Sequence, residues 1–218
     1  MNKRLISDVA DHQRYMVPDA DKILYTSGIE EVFETSSKAE QMRAKNIYDS
    51  DHSRQLPLLD QSVFRSVMGQ FSTGVTVVTT SDEECYHGLT VSSFCSLSLT
   101  PSLVLVCIDD RTESYELIHK TGMFAVNILA EGCEGLARQF ASHTEDKFAN
   151  VSVHRGAIGM PLLDEALATL ECQLCAIWPG GDHGIFVGLV QTACLNRNVG
   201  PLLYHKSNFH VFAEDRSE

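Results

Sequence analysis

From residue 75 onward the chain is written as short runs of branched and apolar residues, each about the length of a β-strand and each closed by a turn signal. Residues 75–80 and 88–94 flank an acidic turn at 81–84. Residues 103–108 form a fully apolar run held between Pro101 and Asp109-Asp110, and 124–129 is another. Two longer runs, 168–178 and 184–196, are joined by Pro179-Gly180-Gly181, and a short pair follows around Leu203 and Val211. Only 112–120, closed by Gly122, and 131–140 interrupt this pattern with helical spacing. The predicted fold is therefore mostly β with a few helices, a barrel and not a doubly wound sheet.

Residues 1–57 differ in character. They are polar and of mixed charge, with weak helical spacing in Ile29, Val32, Phe33, Met42 and Ile47, and they predict a helical or flexible extension ahead of a domain over 58–218. Such an arm packs on its own subunit or a partner, stays a tail, or docks another enzyme. Beyond it, Val63, Phe64, Val67, Met68 and Phe71 mark one face of a helix that Asp60 or Ser62 caps and Gly74 ends.

Charge narrows the function classes. The net charge is −12 over 218 residues, and residues 58–218 hold 19 acidic and 9 basic side chains, which argues against nucleic acid as a partner. An acidic domain that takes up a phosphorylated ligand must build a local anion site. Seven scattered cysteines predict reduced thiols, not a disulfide framework. In Cys172-Gln173-Leu174-Cys175, two positions three apart on a strand face opposite ways, so no metal site is expected. With no apolar run near the ~20 residues of a membrane span and no signal-type opening, a cytoplasmic protein without membrane contact is expected. There is no G-x-G-x-x-G after a strand and no P-loop, so a nicotinamide nucleotide must bind without a Rossmann domain.

The chemistry-bearing segment is 88–101. Thr90, Ser92, Ser93, Ser96 and Ser98 put five hydroxyls among apolar residues with no charge between them. Small hydroxylic residues let a flat ligand approach the backbone, and their donors suit the carbonyl and imide edge of an isoalloxazine. A half-buried strand with its hydroxyls in water would carry the same residues. His183, after Gly180-Gly181-Asp182, is either a turn histidine bonded to Asp182 or a ligand contact. Asn127, inside an apolar run, satisfies a neighbouring backbone group or touches ligand. His87 and His119 have loop and helix-end explanations, and Trp178 caps the core.

Taken in order, Phe71-Ser72-Thr73-Gly74-Val75-Thr76-Val77-Val78-Thr79-Thr80, His87-Gly88-Leu89-Thr90-Val91-Ser92-Ser93-Phe94, Phe124-Ala125-Val126-Asn127-Ile128-Leu129 and Gly181-Asp182-His183-Gly184-Ile185-Phe186-Val187-Gly188 resemble the short-chain flavin reductase family, the small partners of two-component flavin-dependent monooxygenases. The resemblance spans about 58–212. It implies an FMN-binding split β-barrel that forms a homodimer, binds FMN or FAD, takes hydride from NADH or NADPH, and supplies reduced flavin to a monooxygenase. It places Thr90, Val91, Ser92, Ser93, Phe94, Cys95 and Ser96 along the isoalloxazine and ribityl chain, Cys107 and Ile108 on the next contact strand, and Arg111 and Thr112 at the anion site. Phe140 falls at a further flavin-facing position, and His183 beside the nicotinamide as a positioning group. Two other uses of the scaffold stay open: retained flavin passing electrons to a corrinoid or metal centre, and a non-catalytic flavin-binding module.

Overall fold

A computed structural model describes residues 59–82 and 85–212; the extension predicted over 1–57 lies outside the described residues. Helix α1 (Gln61–Met68) opens on Asp60, whose carboxylate accepts from the backbone N–H of Ser62 at 2.7 Å and of Val63 at 3.3 Å. It ends at Gly69 instead of the expected Gly74, because Gln70 and Phe71 tighten the last turn with bonds to the carbonyls of Val67 and Met68. Its apolar face is present but uncovered within the described chain: Val63, Phe64, Val67 and Met68 are 48–62% exposed.

The strands follow as β1 (Thr73–Gly74), β2 (Thr76–Ser81), β3 (Tyr86–Val91), β4 (Phe94–Leu99) and β5 (Ser102–Asp109). Then come α2 (Glu113–Thr121), β6 (Met123–Leu129), α3 (Glu134–Ala141), β7 (Val153–Arg155) and β8 (Pro161–Leu163). The chain closes with β9 (Ala166–Pro179), β10 (His183–Leu195), β11 (Leu203–His205) and β12 (Asn208–His210). Seven of these make one antiparallel sheet in the order β3-β2-β6-β9-β10-β5-β4.

The two ends of that order are consecutive in sequence. Strands β3 and β4 are the sheet's opposite edges, yet only Ser92-Ser93 separates them. Three Cα–Cα steps reach at most about 11 Å, so the sheet must curl until its edges almost meet. A short link holds the gap: the N–H of Cys107 donates to the Ser93 carbonyl at 3.2 Å. The mostly β, split-barrel expectation is met, and the split lies at Ser92-Ser93.

Curling places apolar side chains on both faces of the inner strands. Val77 joins one core with Val75, Leu129, Ala137, Phe140 and Leu163, whereas its neighbour Val78 joins another with Val106, Ile118, Phe124 and Phe186. Strand β2 is consequently buried along its whole length and shows no polar alternation. Helix α2 follows the expected pattern: Thr112 caps its start, and Gly122, at φ 68°, takes the left-handed conformation that ends it. Cys172 and Cys175 fall into different cores, as strand geometry requires. The structure adds a β7–β8 hairpin, and the single strand expected over 88–94 is broken at Ser92-Ser93 between β3 and β4. No helix among the described residues is long and apolar enough to cross a membrane.

Candidate functional site

The hydroxyl-rich segment lies along the split, and its groups divide into two kinds. Thr90 Oγ1 donates to the Ala137 carbonyl at 2.7 Å, tying β3 to α3, and Ser93 Oγ donates to the Cys107 carbonyl at 2.9 Å, tying the split together. These hydroxyls hold the frame. Ser92 and Ser96 are exposed, and neither side chain has a hydrogen-bond partner among the described residues. Cys95 is exposed beside them, and Phe94 packs half-buried against the second core. Val91 and Ile108 turn their side chains inward, at 6% and 1% exposure, so only their backbones face the split. Cys107 is half-buried, and that burial pushes its thiol above the ordinary value.

Phe140 requires a correction. Its ring is fully buried, 4.9 Å from the Phe148 ring and packed over Gly88, where an added Cβ would come within 2.7 Å of it. The aromatic face predicted for ligand is used in the core, and Gly88 is glycine because that ring sits on it.

His183 stands directly across from Asp109 in the β10–β5 pairing, two residues along β5 from Cys107 and its bond to Ser93. Two residues along at about 3.3 Å each and two strand spacings of about 4.8 Å across, since β5 lies between, put the His183 strand position roughly 12 Å from Ser93. Its Nδ1 lies 2.8 Å from Asp182 Oδ1, the contact expected of a turn histidine. That contact also orients the ring and leaves Nε2 for a ligand. The histidine's hydrogen bond in turn lowers the Asp182 carboxyl below its usual range.

Arg111, the expected cation of the anion site, is already engaged. Its Nε and Nη2 donate to the two carboxylate oxygens of Asp109 at 2.9 and 2.6 Å, and its backbone N–H adds a third bond at 3.0 Å. The pairing holds Asp109 far below the ordinary carboxylate range and raises the guanidinium further. Thr112 Oγ1 donates to the Asp109 carbonyl at 2.9 Å while capping α2. Both residues line a cavity of about 990 Å³ next to the split, walled also by Tyr86, His87, Lys147 and Phe148. Sequence reasoning missed this cavity because the loop over 142–148 that closes it carries no periodic signal. It did anticipate Asn127, whose Nδ2 donates to the Val77 carbonyl and whose Oδ1 accepts from Leu163 N–H. His87 faces Glu113 at 3.5 Å on the cavity wall, His119 is exposed at the end of α2, and Trp178 packs on the third core.

A curled antiparallel sheet with an open, uncharged seam and a carboxylate-oriented histidine across the neighbouring strand defines a small split-barrel protein. The model of the flavin reductase like domain matches residues 68–213, and the chain belongs to that family. It is 36% identical over 159 residues to the reductase subunit HsaB of a flavin-dependent monooxygenase from Rhodococcus jostii, covering 73% of this chain and 82% of that one. It is 40% identical over 159 residues to the reductase component of a 4-nitrophenol monooxygenase from Rhodococcus opacus, covering 73% and 85%. Among solved structures, the NADH:FAD oxidoreductase SgcE6 of Streptomyces globisporus, in complex with NAD and FAD fragments, superposes with a TM-score of 0.69 at 39% identity, covering 74% of this chain and all of that one.

Proposed function

We propose that the chain is an NAD(P)H-dependent flavin reductase that receives FMN or FAD at the split and supplies reduced flavin to a partner monooxygenase. The observation that carries this reading is the pair of exposed hydroxyls of Ser92 and Ser96, unpartnered among the described residues, on a charge-free seam beside strand β5, whose other neighbour β10 begins at His183. The flavin, when bound, accepts a hydride from the nicotinamide; the protein supplies orientation and exclusion of water. Thr90, Ser93 and Cys107 fix the shape of the seam, the backbones of Val91 and Ile108 and the side chains of Phe94 and Cys95 border it, and Ser92 and Ser96 donate to the ring edge or ribityl chain. His183, oriented through Nδ1 by Asp182, presents Nε2 to the nicotinamide carboxamide. It positions and does not transfer a proton.

Few charged contacts favour a flavin that leaves after reduction, and release is the proposed outcome. A homodimer in the cytoplasm belongs to the same reading, supported by the apolar face of α1, which is uncovered among the described residues, and by seven free cysteines. Anaerobic stopped-flow mixing of the protein with flavin and NADH tests it: the flavin absorbance bleaches faster than in a protein-free control, and equal rates would falsify the assignment. In the same assay His183→Ala slows reduction at least about tenfold while flavin affinity changes little. Equal losses in both would remove the positioning role.

A further inference from the structure

Lys147 lies in the loop that folds back over β3, and its Nζ donates to the carbonyls of Gly88 at 3.3 Å and Phe140 at 3.2 Å. An ammonium has three donors, so one is left over. The residue is half-buried on the cavity wall, and no carboxylate among the described residues comes within ion-pair distance of it. Glu113 acts on it only from further away and faces His87 at 3.5 Å. Arg111 on the same wall is neutralised by Asp109, and so is not available in the way Lys147 is.

Half-burial strips part of the ammonium's hydration and lowers the Lys147 pKa, with Glu113 opposing the shift; Asp109, Glu113, Glu145 and Asp146 also line the cavity, but none of them pairs with Lys147. An anion in the cavity would remove that penalty. The space is of the right order, since small-molecule sites span about 300–1,000 Å³. Gly88, which Lys147 holds, is two residues before Thr90 on β3, about 7 Å along the strand, so a ligand lying on the seam can extend a tail into the cavity.

We propose that Lys147 receives the phosphate of the nucleotide that occupies the seam. The inference rests on the functional reading above and adds to it the residue that tells a phosphorylated ligand from its bare counterpart. The phosphate belongs either to the flavin tail or to the nicotinamide dinucleotide, and the two are separable.

The full chain, Lys147→Gln and Lys147→Arg are titrated with FMN and with riboflavin, following flavin fluorescence, and the KM for NADH is measured with riboflavin as acceptor. The ratio of FMN to riboflavin affinity falls about tenfold or more in Lys147→Gln, the size expected for a charge-assisted hydrogen bond, and Lys147→Arg recovers most of it. An unchanged ratio with a comparable rise in the KM for NADH supports the proposal and gives the phosphate to the nicotinamide. Equal weakening of FMN and riboflavin, with no selective change for NADH, overturns it and leaves Lys147 a loop clasp; so does no change at all. A wild-type chain that reduces riboflavin while the variants change nothing overturns this inference alone, whereas one that binds neither flavin removes the functional reading as well.

Discussion

Strand β2 and the seam strand β4 are both rich in hydroxyls, yet the structure treats them in opposite ways. In β2, Thr76, Thr79 and Thr80 are buried, and each side chain donates to a carbonyl, those of Val91, Pro161 and Met123, at 2.6–2.9 Å. In and beside β4, Ser92 and Ser96 are exposed with nothing bonded to them in the described chain. The difference is one of place in the sheet. An inner strand has neighbours on both sides and a core on both faces, so its polar atoms must be satisfied internally. A strand at the seam can keep its donors for something else.

Substitutions can break or sharpen this contrast. The largest effect is expected at Glu171, 1% exposed, whose carboxylate accepts from the backbone N–H groups of Ala157, Ile158 and Met160 and from Thr192 Oγ1. Glu171→Ala leaves those donors orphaned and costs about 3 kcal/mol or more, a drop in Tm of roughly 10 °C for a chain of this size. A smaller drop would mean that water replaces the carboxylate. Next is Asn127→Ala, which strips bonds from Val77 and Leu163 and costs about 2 kcal/mol, measurable by urea unfolding. At the seam the same chemistry has the reverse signature. Ser92→Ala with Ser96→Ala leaves stability within about 0.5 kcal/mol of wild type and weakens flavin binding several-fold. A large loss of stability would show that these hydroxyls are structural after all.

The smallest effect is a flat one. Asp109 has a folded-state pKa well below its ordinary 3.8 because Arg111 bonds it, so its contribution is complete above that value and is lost only as the pH falls through the lower, folded value. The offset in Tm between wild type and Asp109→Asn is therefore constant from about pH 5 to 8. Below about pH 4 the offset shrinks as Asp109 is protonated in the unfolded chain first, and an offset that stays level there would mean the pair is not formed in solution.

The features legible in the sequence are the local ones. Asp60, Thr112 and Gly122 announced helix ends because caps depend on one or two neighbouring residues. The long runs of β9 and β10 announced strands through composition alone. The split itself was hidden: Ser92-Ser93 is as compatible with a continuing strand as with a link, and only the pairing of β3 with β2 and of β4 with β5 separates them. For the site, the seam residues were legible as a chemical type, but the division between Thr90 and Ser93 as fasteners and Ser92 and Ser96 as free donors depends on Ala137 and Cys107, distant in sequence. Phe140 and Lys147 show the same limit from both sides, an aromatic ring that went to the core and an ammonium whose setting needs Gly88.

The charge-free seam belongs to a chain of net charge −12, and this has a consequence for how ligands arrive. Anionic cofactors approach against a repulsive long-range field that added salt screens, so their association quickens with ionic strength. Neutral riboflavin feels no such field, and its rate of capture stays level from dilute buffer to physiological salt.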